Sequence, residues 1–241
     1  MATVPTGERN SELTVGVWIM SSAGGKRSGT VRVVSGEWRS RRLAVPPGDR
    51  TRPMLDRVKA AVFDALGSFY GTPGRLPPLV VADVFAGGGT LGLEAISRGA
   101  SAGVFFESKP AALGVLRDNL ATLGVGARSV VEAVDVWSAG LCEVLLQYHC
   151  ALVFLDPPYA DTRDAGHGGK VMGLLDELAA FGRQAENPVL VLHHPRSVSF
   201  DLAGVEPWCV YAVRAYGTTG ITILASAGRT AHPDEAAEDS P

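Results

Sequence analysis

Cysteine and long apolar runs are scarce in this chain, and each scarcity argues against a class of protein. The three cysteines, Cys142, Cys150 and Cys209, lack C-x-x-C spacing, which disfavours a disulfide framework or a structural zinc site and fits a reducing cytoplasm. No apolar run approaches the ~18 residues that a membrane-spanning helix needs, and no basic segment followed by an apolar stretch suggests a secretory signal. We therefore expect a cytoplasmic protein with no metal site and no membrane partner.

Basic residues are concentrated in one part of the chain. The formal net charge is only −3, yet residues 26–59 hold ten of the 22 Lys and Arg residues against three acids. Such a basic block on a near-neutral protein is typical of a polyanion partner. A solvated surface arm would have the same composition, so charge alone leaves both interpretations open.

Composition divides the chain into four segments. Residues 1–29 are rich in Gly, Ser and Thr and are expected to be a disordered leader, with Met20 as an alternative start. Residues 30–78 are predicted to form a basic N-terminal hairpin or arm and a helix, and residues 79–226 the core domain. Residues 227–241 are expected to be a disordered acidic tail.

Strand-like and helix-like patterns alternate through the core. Apolar strand candidates lie at 79–85, 103–107, 129–134, 150–155 and 189–192, and helix-like stretches at 56–69, 90–98, 110–123, 137–148 and 170–184. Continuous apolar strands separated by helices predict a parallel sheet that is buried on both faces. Residues 207–214 and 218–225 predict a closing antiparallel hairpin. The fold class is therefore α/β, with a doubly wound, mostly parallel seven-stranded sheet.

A glycine-rich loop follows the first strand of the core. Gly87 to Gly92 read G-x-G-x-x-G between a predicted strand and a predicted helix, where glycines permit a tight turn and close approach to a ligand. Glu107 ends the next strand, where a carboxylate can bind both ribose hydroxyls. Together they predict a nucleoside-binding site.

The charges around this loop favour S-adenosylmethionine (SAM) over NAD. Asp83 leads into the loop and would repel a pyrophosphate, whereas an acid suits the ammonium and sulfonium of SAM. Asp135, at the end of the third strand, can bind the adenine amino group. It can equally cap a helix that begins near Trp137, and the two roles are compatible.

The tetrapeptide Asp156–Pro157–Pro158–Tyr159 ends the fourth strand and so faces the same crevice. The prolines keep the loop rigid and lack N–H donors. A carboxylate and a backbone carbonyl that accept the two N–H bonds of a ring-conjugated amine would direct its lone pair towards a methyl donor. Tyr159 offers a face on which a flipped base can stack.

These blocks carry a family resemblance. DPPY, preceded by VADVFAGGGTLGLEAISRGA and FFE, resembles the amino-group branch of the SAM-dependent methyltransferases. The N-terminal block SGEWRSRRLAVPPGDRTRPMLDRVKAAVFDAL is similar to that of the bacterial 16S rRNA guanine-N2 methyltransferases. The resemblance covers about residues 31–225. It implies a Rossmann-like class I methyltransferase fold and methyl transfer from SAM, with S-adenosylhomocysteine as product. The implied substrate is 16S rRNA within the small ribosomal subunit or an assembly intermediate.

The resemblance also implies roles for individual residues. Those implied to bind the cofactor are Asp83, Phe85, Ala86, Gly87, Gly89, Glu107, Asp135, Arg52 and Pro53, and the reaction site is Asp156, Pro157, Pro158 and Tyr159. The residues expected to face the RNA are Arg39, Arg41, Arg42 and Arg57. Three positions depart from the family pattern: Gly88 replaces a common Ser, Met54 a common Thr and Lys109 a common acid.

Two other functions compete with this one, a DNA adenine or cytosine amino-methyltransferase and a non-catalytic ribosome-assembly factor that binds SAM. Nothing in the chain demands a dimer, so we expect a monomer. His193 and His194 are adjacent on a predicted strand and point in opposite directions, which makes them a poor metal pair and favours a structural role. Trp38 can stack on RNA or pack the N-terminal hairpin on the core.

Overall fold

The computed structural model describes residues 29–47, 54, 56–138, 140–163, 169–202 and 205–226. Residues 1–28 and 227–241, for which we predict disorder, lie outside the described residues. Arg52 and Pro53 of the predicted cofactor site lie outside them as well. No helix in the described part of the chain is both long and apolar enough to cross a membrane.

The described residues form a short hairpin followed by alternating strands and helices. The strands are β1 Thr30–Arg32, β2 Arg42–Ala44, β3 Val80–Val84, β4 Ala102–Phe106, β5 Ser129–Glu132, β6 Cys150–Leu155, β7 Val189–Pro195, β8 Trp208–Tyr216 and β9 Thr219–Ser226. The helices are α1 Asp56–Phe69, α2 Thr90–Ser97, α3 Pro110–Leu123, α4 Leu141–Gln147 and α5 Lys170–Gln184. Most predicted elements are found within a few residues of their expected bounds.

Strands β3 to β9 make one seven-stranded sheet in the order β5-β4-β3-β6-β7-β9-β8. Strands β3 to β7 pair in parallel, and β9 runs antiparallel to both β7 and β8. The chain winds outward from β3 to β5 and returns to β6 on the other side of β3. Strand order therefore reverses between β3 and β6, where open α/β sheets form a crevice at the carboxyl ends of their strands.

Helices cover both faces of the sheet, which explains why the parallel strands are apolar throughout. On one face α4 and α5 pack through a core that includes Leu141, Leu145 and Leu175, each fully buried. On the other face α1 and α2 pack through a second core, and α2 and α3 form a third together with the hairpin. The predicted burial on both faces follows from this arrangement.

The N-terminal hairpin is docked on the core by buried charges. The Glu94 carboxylate on α2 is fully buried and accepts hydrogen bonds from the backbone N–H groups of Val34 (2.7 Å) and Ser35 (3.0 Å) and from Nε of Arg98 (2.8 Å). Lys59 on α1 lies 3.7 Å from the same carboxylate and donates to a β1 carbonyl at 2.6 Å. Burial lowers the pKa of the Lys59 ammonium. We call Lys59, Glu94 and Arg98 the docking cluster.

Two element bounds differ from their predictions for local reasons. Helix α4 begins at Leu141, after Gly140 in the left-handed region (φ 56°), whereas the apolar pattern predicts a start near residue 137. Strand β7 continues to Pro195 rather than ending at residue 192, because its last residues pair with β9. Antiparallel pairing from a distant segment thus lengthens a strand that local composition ends early.

Candidate active site

The glycine-rich loop between β3 and α2 has the left-handed backbone that its composition predicts. Phe85, Gly87 and Gly89 have φ values of 68°, 55° and 78°. A Cβ on Gly89 would lie 2.5 Å from the side chain of Leu116, so close packing as well as backbone conformation requires glycine there. A Cβ on Gly88 would lie 2.8 Å from the Ala44 carbonyl oxygen of the docked hairpin, so the close approach of the hairpin favours glycine at this position.

Glu107 leaves β4 directly beside this loop. Its Oε2 accepts a hydrogen bond from the Gly87 N–H (2.9 Å), and its Oε1 accepts from the N–H groups of Ser108 and Lys109 (2.8 Å each). These bonds hold the carboxylate in one orientation at the cavity wall. A carboxylate offers about four acceptor positions, so capacity for a ligand hydroxyl remains.

Asp83 lies beneath the loop, not in the cavity wall. Its side chain is buried, and its Oδ2 accepts a hydrogen bond from the Gly92 N–H at 2.8 Å, which fixes the first turn of α2. Burial, with a smaller contribution from the charges of Asp156 and Glu107, raises the pKa of Asp83 to about 8. Attraction of a cation in the cavity at neutral pH therefore depends mainly on other acids.

The cavity at this edge of the sheet has a volume of about 300 Å³, within the roughly 300–1,000 Å³ of small-molecule sites. Among the described residues, its wall contains the acids Glu107, Asp135, Asp156 and Asp161 and one base, Lys109. An acidic wall suits a ligand with an ammonium and a sulfonium and disfavours a pyrophosphate. On this ground the residues of the cavity fit SAM better than a dinucleotide.

Predicted cofactor residues are divided between the cavity wall and the layer beneath it. Phe85, Ala86 and Gly87 line the cavity, as do Glu107 and Asp135, whereas Asp83 and Gly89 lie outside the set of lining residues. Asp135 Oδ1 accepts a hydrogen bond from the Trp137 N–H at 3.2 Å. Asp135 thus caps a turn ahead of α4 and also lines the cavity, so the predicted capping role and the predicted contact with adenine remain compatible.

Trp137 forms part of the cavity wall, a role that is not predicted from the sequence. Its ring packs against Phe85 with centroids 5.0 Å apart, and Lys170 Nζ lies 5.3 Å from the centroid of the Trp137 ring. Lys170 also pairs with Asp161 at 3.0 Å. These contacts give the cavity an aromatic side that suits a planar base.

The DPPY segment turns away from β6 with its carboxylate held by a histidine. Asp156 Oδ1 lies 2.6 Å from Nδ1 of His193, and Nε2 of His193 lies 3.3 Å from the hydroxyl of Tyr159. The His193 side chain is 5% exposed and that of Asp156 is 26% exposed. Pro158 lines the cavity and its carbonyl closes a turn with the N–H of Asp161 at 2.8 Å. We call Asp156, His193 and Tyr159 the reaction cluster.

His193 and His194 are both predicted to be structural, but the structure separates them. His194 hydrogen-bonds to Thr222 and to the Pro195 carbonyl, and burial lowers its pKa, which fits a neutral structural residue. His193 instead contacts Asp156. Their positions were the available signal, because Asp156 follows β6 and His193 lies near the carboxyl end of the neighbouring parallel strand β7.

The basic N-terminal hairpin of β1 and β2, which we also call the arm, runs directly into the cavity wall. Arg39, Arg41 and Arg42 are exposed on the hairpin, Arg57 is exposed on α1, and β2 is followed by residues 45–46, which line the cavity. Close by, the ring of Trp38 packs on the core with the guanidinium of Arg128 5.3 Å from its centroid, which favours packing over a free stacking surface.

Asn119 ties the hairpin to the glycine-rich loop. Its Oδ1 accepts a hydrogen bond from the Ala44 N–H at 2.9 Å, and its Nδ2 donates to the carbonyls of Ala44 (3.0 Å) and Gly88 (2.8 Å). The residue is buried, so these bonds are shielded from water. The arm and the cofactor loop are therefore held in one fixed relation.

Comparison with known proteins identifies the family. The model of the family described as conserved hypothetical protein 95 matches residues 31–225, most of the chain. The chain belongs to this family. YlbH of Bacillus subtilis is 29% identical over 198 residues, which cover 82% of this chain and all of that protein. Ribosomal RNA small subunit methyltransferase D of Escherichia coli K12 is 37% identical over 135 residues, covering 55% of this chain and 62% of that protein.

Solved structures in the same comparison support the fold. A hypothetical protein of Thermus thermophilus is 31% identical and superposes with a TM-score of 0.58 over 80% of this chain and 98% of that one. The predicted resemblance and the Rossmann-like methyltransferase fold are confirmed by the conserved hypothetical protein 95 model and these relatives. The prediction of a methyltransferase that uses SAM is confirmed by the methyltransferase relatives, and the acidic cavity fits that cofactor.

Proposed function

We propose that this protein transfers a methyl group from SAM to the exocyclic N2 amino group of a guanine in 16S ribosomal RNA. The observation that carries the proposal is the hydrogen bonding of the two Asp156 carboxylate oxygens. It lines the same cavity as Glu107, one of its oxygens is held by His193, and no residue in the described ranges donates to the other. A carboxylate in this state can accept a hydrogen bond from an amino group brought into the cavity.

The reaction depends on placed acceptors more than on a strong base. SAM supplies an electrophilic methyl group on its sulfonium. The guanine amino nitrogen is a poor nucleophile because its lone pair is delocalised into the ring. Asp156 Oδ2 and the Pro157 carbonyl, to which no described residue donates, accept the two N–H bonds and direct the lone pair out of the ring plane.

The proton that leaves the nitrogen passes to Asp156. This side chain is 26% exposed, so it can return the proton to water without a buried relay. Tyr159 presents a ring whose hydroxyl is anchored on His193. A base turned out of its stack can lie against that ring, a contact worth ~1–3 kcal/mol.

The hairpin arginines support an RNA substrate. Arg39, Arg41 and Arg42 are exposed, and the strand that carries Arg42 runs on into the cavity wall, so RNA held on the arm is close to the cavity. The Escherichia coli relative is named as a methyltransferase of the ribosomal RNA small subunit. We extend the proposal to 16S rRNA within the small subunit or an assembly intermediate.

We further propose that the protein acts as a cytoplasmic monomer. Its three cysteines are free thiols, two of them buried, which suits a reducing compartment. One chain supplies the arm, the cavity and the reaction cluster, so the proposed reaction needs no second copy.

A methylation assay with several substrates tests the proposal. Purified protein and labelled SAM are incubated with small subunits from cells that lack the enzyme, with naked 16S rRNA and with duplex DNA, and the products are digested to nucleosides for mass spectrometry. We expect N2-methylguanosine from the ribosomal substrate. Label in DNA would favour a DNA amino-methyltransferase. RNA affinity without transfer to any substrate would favour a non-catalytic assembly factor, and methylation at another RNA atom would reject the guanine-N2 assignment.

A further inference from the structure

His193 and Asp156 meet because of the register of two parallel strands. Leu155 and Leu192 form the last pair of the β6–β7 ladder, so Asp156 and His193 are the next position on each strand. The His193 ring is almost completely buried, with Nδ1 2.6 Å from Asp156 Oδ1 and Nε2 3.3 Å from the Tyr159 hydroxyl. Both nitrogens therefore point at residues of the DPPY segment.

Hydrogen-bond chemistry gives this chain of three side chains one direction. An ionised carboxylate only accepts hydrogen bonds, so Nδ1 of His193 must carry a proton and donate it to Asp156. In the neutral ring Nε2 is then an acceptor, and the Tyr159 hydroxyl donates to it. The carboxylate thus sets the tautomer of the imidazole, the Tyr159 hydroxyl supports that tautomer, and the imidazole fixes the rotation of the carboxylate.

We propose that His193 is a positioning residue for methyl transfer. Its Nδ1–H holds Oδ1 of Asp156, so that Oδ2 is presented to the amino group of the target base. The inference rests on the proposed function, in which Asp156 contacts that amino group. His193 itself neither touches the substrate nor takes the proton that the nitrogen releases.

His194 provides the contrast that separates positioning from structure. It is buried on the same strand, but its nitrogens bond to Thr222 Oγ1 (3.0 Å) and the Pro195 carbonyl (2.9 Å), on the side away from Asp156. A role for His193 in packing alone would make the two histidines equivalent. A positioning role predicts that only His193 affects turnover independently of stability.

Two conservative variants each keep one of the two hydrogen bonds of His193 and remove the other. In His193→Asn the side-chain amide lies near the place of Nδ1, which keeps a donor for Asp156 and removes the contact with Tyr159. In His193→Gln the amide lies near the place of Nε2, which keeps a partner for Tyr159 and removes the donor for Asp156. We expect kcat to stay within about threefold in the Asn variant and to fall about 10- to 100-fold in the Gln variant. The KM for RNA and the Kd for SAM should change in neither.

The matched control is His194→Asn, with thermal unfolding measured for all three variants. It should leave kcat unchanged at temperatures where the protein is folded. Equal kcat values in the two His193 variants would overturn the proposal. So would losses of kcat that follow the melting temperature across all three proteins.

An NMR measurement on the full chain tests the pair without any turnover. With ¹⁵N-labelled histidine, we expect His193 to be protonated on Nδ1 and bare on Nε2. Its Nδ1–H proton should be shifted strongly downfield and should move upfield in Asp156→Asn. The opposite tautomer in an active enzyme would reject the role of His193 and leave the proposed function standing. No methyl transfer by the wild type, with the expected NMR signals present, would reject the function and leave the hydrogen bond standing.

Discussion

The docking cluster and the reaction cluster are both groups of polar side chains around a carboxylate, held largely out of water, yet the hydrogen bonds of the two carboxylates are completed in different ways. Glu94 in the docking cluster is fully buried, and both of its oxygens are occupied by two backbone N–H groups, Arg98 and Lys59. Asp156 in the reaction cluster is partly exposed and has one oxygen held and one without a donor among the described residues. Spare hydrogen-bonding capacity, rather than buried charge itself, thus separates a site for chemistry from a structural joint.

Removal of the Asp156 carboxylate should reduce methyl transfer more than any other substitution considered below. Asp156→Ala removes the acceptor for the amino group, so we expect methyl transfer to fall by more than about a thousandfold. The Kd for SAM should change by less than about threefold, since Glu107 and the glycine-rich loop are untouched. Single-turnover kinetics and calorimetry measure the two quantities. Unchanged turnover would sink the proposed mechanism.

The docking cluster should respond in stability instead of chemistry. Glu94→Gln leaves Lys59 and Arg98 buried without the buried carboxylate that they share, a loss of about 3 kcal/mol or more in the free energy of unfolding. Urea unfolding measures it. Asp64→Asn is the control, because Asp64 is exposed and lies 3.9 Å from the same arginine, and it should have almost no effect. Similar losses in both variants would show that burial does not distinguish these two carboxylates.

Exposed charges on the docked hairpin should affect RNA affinity and leave stability nearly unchanged. Replacing Arg39, Arg41 and Arg42 by Glu should weaken RNA binding by roughly 10- to 100-fold at low salt. The dependence of log K on log salt should become shallower by about 2 to 3 units. Binding curves at several salt concentrations test this, with Arg183→Glu on α5 as a control. If the triple variant and the wild type bound RNA with equal affinity at every salt concentration, the role of the arm would be refuted.

Asp83 differs from Glu94, because this buried carboxyl takes up a proton and has no cationic partner among the described residues. Its pKa is raised to about 8 in the folded protein, against about 3.9 in an unfolded chain. Between these values the folded state binds a proton that the unfolded state lacks, so this group lowers stability as pH rises from about 4 to 8. The linkage between pH 5 and pH 8 amounts to about 4 kcal/mol, so the melting temperature of the wild type relative to Asp83→Asn should fall by roughly 10 °C over this range and then level off. A difference in melting temperature that stays constant over this pH range would contradict the raised pKa of Asp83.

Most of the fold follows from local patterns in the sequence. Apolar runs, Pro110 at a helix start and the glycine-rich loop lie close to their predicted places, because strand burial and helix ends are decided locally. The contact between Asp156 and His193 depends on the register of two strands, which composition does not encode. The buried role of Glu94 was not predicted either, although a single charged residue within the eight residues of α2 is a signal that a buried partner exists.

Because the arm contributes to the cavity wall, removing the arm would affect RNA binding and cofactor binding at the same time. Residues 45–46 line the cavity, and Asn119 joins the end of β2 to Gly88. An enzyme shortened at its N terminus would lose one side of its cofactor cavity together with its arginines. Lost turnover after such a truncation could not be assigned to RNA capture or to cofactor binding. Point substitutions on the solvent side of the hairpin separate the two causes, and screens for cofactor-site inhibitors require the chain with its arm in place.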